Sequence, residues 1–176
     1  MKKKNTMKKE EIIQKAPKVL LHDHLDGGLR TSTIIELAKE IKYNKLPTND
    51  PANLAEWFFR GANKGNLVEY LQGFEHTIAV MQTKESLERI AFEMMEDMYL
   101  DGVCYVETRF APVFHQSKGL YFEDIVKAVL AGLQKGKEKF GVGFGLIHCG
   151  MRNMKNTLEI AEIAVNFRRN GVVGFD

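Results

Sequence analysis

At 176 residues with 44% hydrophobic content, the chain is long enough to bury one sizeable core, which makes a single soluble globular unit the default. Its 25 basic and 23 acidic residues leave a formal charge of +2, and the excess sits in residues 1–9 rather than on an amphipathic helix, so nothing in the balance points to nucleic acid. No apolar run is long enough for a membrane span or for the hydrophobic stretch of a secretory signal, and the cytoplasm is the expected compartment.

In chain order, residues 1–16 read as a lysine-rich N-terminal segment and residues 17–176 as one domain. KVLLH (18–22) is a strand candidate, followed by a helix over about 32–42 and a short one over 54–59. A helix over 66–80 carries an apolar face of Leu67, Tyr70, Leu71, Phe74 and Ile78. The next, over 84–100, places Leu87, Ile90, Ala91, Met94 and Met98 at core spacing behind Thr83 as its cap. GVCYVETRF (102–110), VGFGLIH (142–148) and VVGFD (172–176) are the further strands, separated by helices over 122–139 and 156–170. Gly102 and Asn170-Gly171 are stop signals. Cys104 and Cys149 fall inside apolar strand runs, which favours reduced core thiols over a disulfide. This β-helix-β rhythm predicts an α/β fold with parallel strands, whose working residues belong at the C-terminal strand ends.

At the end of the first strand stands LHDHLDGG, residues 21–28. Residues two apart in a strand face the same way, so His22 and His24 present two imidazoles side by side, an arrangement that suits one metal ion. Neutral imidazole is the commonest protein ligand for zinc, and a catalytic zinc takes about three protein ligands plus a water. The competing reading is two strand-end histidines hydrogen-bonded to neighbours; even on the metal reading, further ligands must come from elsewhere. Asp26 continues the alternation and Gly27-Gly28 permits a sharp exit from the strand. His148, at the end of the third strand, is the bottom-up nominee for a third ligand, while His76 and His115 read as ordinary polar contacts. Glu107 and Arg109 share a strand face and could pair with each other or with a neighbouring strand. Trp57, Phe58 and Phe59 form an aromatic cluster. The H-x-E and P-C-x-x-C signature of cytidine-type zinc deaminases is absent, and the spacing of Gly141, Gly143 and Gly145 precedes a strand, the wrong context for a dinucleotide.

PKVLLHDHLDGGLR resembles the opening motif of adenosine deaminases, approximately P-K-x-E-L-H-x-H-L-D-G. YLQGFEHTIAVMQTKESLERIAFEMMEDMYLDGVCYVETRFAP resembles that family's second helical block and strand, and IHCGMR with GVVGFD its third and fourth strands, so the likeness is collinear from Pro17 to Asp176. The resemblance implies a TIM (β/α)8 barrel of the metal-dependent hydrolase type, one Zn2+ at its mouth, and hydrolysis of adenosine or 2′-deoxyadenosine to the inosine product plus ammonia, in purine salvage. It makes His22 and His24 zinc ligands, with His24 also beside the nucleoside. Asp26 becomes the ribose contact, and Asp176 the first residue of a D-x-A-G-x-E segment on the substrate side. Arg109, from a V-E-x-R pattern, is expected in structural pairing at the barrel mouth, and the family does not use the position of His148 as a ligand. The region of Trp57–Phe59 helps close over the nucleoside in the family, although plain packing is an equal reading.

The remaining machinery that the resemblance implies is a third zinc histidine, the glutamate that protonates purine N1, a further histidine and a pair of aspartates, all from later strands. No catalytic residue is therefore expected within this chain. A (β/α)8 barrel typically takes about 250 residues, so four strands amount to half of one, and the chain alone is expected to be inactive. Two alternatives stand beside this: a deaminase of adenine or another aminopurine, against which the Asp26 match argues, and a non-catalytic half-barrel that self-associates or recruits a partner chain through its exposed sheet edges.

Overall fold

The computed structural model describes residues 8–152 and 154–176. Strands β1 (Lys18–His24), β2 (Val103–Phe110), β3 (Gly143–His148) and β4 (Val172–Phe175) form one fully parallel sheet in the order β1-β2-β3-β4. Helix α1 (Lys9–Lys15) precedes it. Between β1 and β2 run α2 (Thr31–Glu40), α3 (Pro51–Ala62), α4 (Leu67–Val80) and α5 (Lys84–Leu100). A 3-10 turn (Pro112–His115) and α6 (Phe122–Phe140) join β2 to β3, and α7 (Thr157–Asn166) joins β3 to β4. Strands adjacent in sequence are adjacent in space and each link is helical, the winding of a (β/α) barrel.

One face of the sheet carries the core. Val103, Val106 and Phe110 of β2, Leu146 of β3 and Val172 of β4 are buried with Leu87, Ile90, Ala91 and Met95 of α5, Ile125, Val129 and Leu133 of α6, and Ile160 of α7. Helices α5 and α6 approach closely because α6 offers glycine one turn apart: a Cβ on Gly132 would stand 2.1 Å from the Glu88 carbonyl oxygen, and one on Gly136 2.3 Å from Met95 Cβ. The other face is open at Val19, Leu21 and Val173, all more than half exposed. On that face β3 is nearly bare, because a Cβ on Gly143 would lie 3.0 Å from the Tyr105 ring and one on Gly145 2.9 Å from its hydroxyl. These two glycines make room for Tyr105, whose hydroxyl donates to Glu107 Oε1 at 3.0 Å.

Element types agree with the sequence reading, and the differences have local causes. Helix α3 begins at Pro51 rather than near Leu54 because Asp50 caps it, accepting from the Asn53 amide at 2.8 Å. Thr83 caps α5 as expected, accepting from the Ser86 amide at 3.1 Å. Helix α7 stops at Asn166, and residues 167–171 turn into β4 through Gly171 at φ 115°. Helix α1 forms within the segment whose composition marks it only as lysine-rich; its start carries Glu10 and Glu11 and its end Lys15, favourable at the respective dipole ends. Residues 1–7 of the lysine-rich segment lie outside the described residues. The expected apolar face of α4 is only partly core, since Leu67, Tyr70 and Leu71 are exposed and only the second half turns inward. Both cysteines are free thiols, but Cys104 is exposed rather than core: β2 steps two residues there against one of β1.

Candidate metal centre and adjoining cleft

The C-terminal ends of all four strands share one edge of the sheet, and the side chains singled out in β1 lie there. In β1, Leu20 pairs with Val106 and Asp23 with Thr108, so three steps of β1 match two of β2. This bulge reverses the alternation. Leu20 packs on the core, Val19 and Leu21 occupy the open face, and His22 and His24 then follow Leu21 onto it. Asp23 turns the other way and accepts from the buried Thr108 hydroxyl at 3.3 Å. The imidazoles of His22 and His24 end with centroids 5.3 Å apart. Burial, and then the charges of His22 and Arg109, hold His24 below its ordinary basicity, which favours the neutral form that binds metal.

Asp26 follows the strand and is almost wholly buried, its Oδ2 accepting weakly from the Ala111 amide at 3.5 Å. Its Oδ1 lies 3.9 Å from His24 Nδ1, beyond hydrogen-bond reach, and is buried without a partner among the described residues. Burial pushes the carboxyl up to about 6. On β2, Arg109 donates from Nη1 to Asp176 Oδ2 at 2.6 Å, joining β2 to the end of β4 across β3. Glu107 pairs with Tyr105 rather than with Arg109.

A cleft of about 670 Å³ opens beside Gly27 and Gly28, between α3 and α4, walled by Trp57, Phe58, Tyr70 and Phe74. Phe74 meets the His24 ring edge-on at 6.4 Å and stands 3.2 Å from where a Gly27 Cβ would be, so the glycine after the histidine pair lets the aromatic wall reach the site. The sequence marked Trp57–Phe59 but took Tyr70 and Phe74 for core, because an apolar helix stripe reads the same whether it faces a core or a cleft.

His148 does not join the pair. It sits opposite Phe110 in the register, fully buried on the helix-covered side and edge-on to Phe110, and burial lowers it to about 4. His76 shares a hydrogen bond at Nδ1 with the Tyr43 hydroxyl at 2.8 Å, and His115 donates from Nδ1 to the Met81 carbonyl at 3.0 Å, both ordinary contacts as expected. Among the described residues no three His, Cys, Asp or Glu side chains gather as a metal cage. Two neighbouring, exposed imidazoles with the buried carboxyl of Asp26 behind them fit a metal ion as part of a ligand set.

The four-stranded parallel sheet, with helical links and a histidine pair at its strand ends, has the winding of a (β/α) barrel, and solved structures agree on the fold. The chain is similar to the adenine deaminase of Arthrobacter aurescens (TM-score 0.76, 27% identity, 90% of this chain and 47% of that one). It is equally similar to the Arabidopsis N6-mAMP deaminase (TM-score 0.78, 28% identity, 94% and 51%). An amidohydrolase of Burkhoderia ambifaria, described with bound Zn, shares the fold at TM-score 0.74 and 23% identity, over 98% of this chain and 47% of that one.

Residues 17–176 match the family model for adenosine deaminase, and the chain belongs to that family. Curated relatives include the adenosine deaminases of Mycobacterium ulcerans (48% identity over 172 residues, 94% of this chain and 47% of the relative) and Mycobacterium leprae (45% over 177, 98% and 49%). The chain spans about half the length of the curated relatives it matches.

Proposed function

We propose that these residues form the first half of a zinc-dependent adenosine deaminase that converts adenosine and 2′-deoxyadenosine to inosine and 2′-deoxyinosine plus ammonia, in cytoplasmic purine salvage. The observation that carries this is the His22–His24 pair, brought onto the open face by the β1 bulge beside an aromatic cleft, in a chain of this family. His22 and His24 hold the metal, whose role is to make water a nucleophile near neutral pH. His24 also lies against Phe74 at the cleft and so borders the nucleoside. The unpartnered Asp26 Oδ1 is a buried acceptor awaiting a donor, which a ribose hydroxyl supplies. Asp176 adds a second substrate-side carboxylate. The cleft's aromatic walls take the purine face and exclude water from it.

No group of this chain is assigned the protonation of purine N1, and residues 1–176 alone are expected to leave adenosine unchanged. The outer strands β1 and β4 present open edges, which favour self-association or closure by a further segment. Among the described residues no helix is long and apolar enough to cross a membrane, and the near-balanced charge supports a small-molecule substrate rather than nucleic acid.

The likeness to an adenine deaminase favours one second reading, deamination of the free base. Comparison of kcat/KM for adenosine and adenine, using zinc-loaded protein that continues past Asp176 over the rest of the relatives' length, separates the two. Preference for adenosine supports the nucleoside reading and the role of Asp26; preference for adenine replaces it.

A further inference from the structure

The ion pair at the mouth has a division of labour built into it. Arg109 is largely enclosed, its side chain 12% exposed, whereas that of Asp176 is 59% exposed. The guanidinium takes Oδ2 alone, and among the described residues Oδ1 accepts no hydrogen bond. The backbone of Asp176 is fixed independently, its amide donating to the His148 carbonyl at 2.9 Å and its carbonyl accepting from the Gly150 amide at 2.7 Å. With the main chain held on both sides and one carboxylate oxygen held by an enclosed cation, the remaining freedom of this side chain is small. Arg109 also pairs with His24 in the β1–β2 register, so the strut stands next to the histidine pair.

We propose that Arg109 is a positioning residue: it fixes the Asp176 carboxylate so that its free oxygen is presented, preorganised, to a donor group of the nucleoside bound beside His22 and His24. This rests on the nucleoside deaminase reading above and adds to it the means by which a substrate-side carboxylate on β4 is kept in place from β2. An exposed aspartate without the strut spreads over its rotamers, and ordering it on binding then weakens affinity. Loss of a charge-assisted hydrogen bond of this kind corresponds to roughly a tenfold to hundredfold effect.

The test is a double-mutant cycle in zinc-loaded protein continuing past Asp176, with Arg109→Met, Asp176→Asn and the pair together, reading KM and kcat for adenosine, zinc content and thermal midpoint. The expected result is a KM raised about tenfold or more in each single variant, with zinc content retained, and a double variant no worse than the worse single one. Arg109→Lys, which keeps the charge but not the fork, should recover part of the KM, and added guanidinium ion should recover part of it in Arg109→Ala. Additive effects, or variants that lower the midpoint or the zinc content while KM stays at the wild-type value, would overturn the proposal in favour of a purely structural pair. A wild-type control that leaves adenosine untouched overturns the deaminase reading and this inference with it, and is distinguished from failure of the inference alone by that control.

Discussion

His22 and His24 are the proposed metal ligands of this chain, their ring centroids 5.3 Å apart. Substitution of either by Ala leaves one imidazole for the metal. Since losing a group that merely supports a ligand already weakens metal affinity about 10–100-fold, removing a ligand is expected to cost about a hundredfold or more. Competition with a chromophoric chelator measures it; unchanged zinc affinity in both variants would remove these residues from the metal site. A second residue-scale expectation concerns acid. His115 is fully buried and held down to about 4 from an ordinary 6.5. Its neutral form is the native one, so below 6.5 the unfolded chain binds a proton that the folded chain refuses, and stability falls until pH reaches about 4. The loss is on the order of 3 kcal/mol, and His115→Gln should flatten the pH dependence of urea unfolding between pH 7 and about 4 relative to wild type. Equal slopes would mean that the imidazole is not kept neutral. Of this layer, the histidine pair was legible because H-x-H shares a strand face. The bulge that decides which face was not, because an extra residue in a run as apolar as KVLL breaks no visible pattern. The same blindness produced the nomination of His148: in GFGLIH, apolar residues and glycines leave no polar alternation to tell the helix-covered side from the barrel interior.

Among the elements, the α5–α6 contact makes the sharpest demand on sequence. Gly132→Ala puts a methyl group 2.1 Å from a backbone carbonyl, which cannot swing aside as a side-chain tip can. The gain in helix propensity, about 1 kcal/mol, is smaller than the overpacking it causes, so a net loss of about 2 kcal/mol is expected in denaturant unfolding. Gly61→Ala in α3, where a Cβ meets nothing within 4 Å, is the matched control and should be neutral or slightly stabilising. Equal behaviour of the two variants would contradict the packing described. The helices themselves were readable from periodicity and caps, and the methionine-bearing stripe of α5 is core as expected, with Met95 more deeply buried than Met98. What periodicity could not supply was the object that a stripe faces. For α4 that object is partly a cleft, which Tyr70 and Phe74 line.

For the molecule as a whole, the open sheet face is the organising fact. In a closed barrel the Val19, Leu21 and Val173 side chains face the interior, while here they are exposed beside two free strand edges. Residues 1–176 produced alone are therefore expected to aggregate or self-associate in size-exclusion chromatography, and a stable monomer would show that the open face is tolerated in water. The parallel (β/α) architecture was visible in the alternation of strands and helices, and the chain that carries it spans about half the length of the curated relatives it matches. Zinc-dependent turnover of adenosine, followed by ultraviolet absorbance in protein that continues past Asp176, tests the deaminase reading. Inosine and ammonia are expected in equal amounts, with loss of turnover after chelation and its return with zinc. Zinc-loaded protein that leaves adenosine unchanged would contradict that reading.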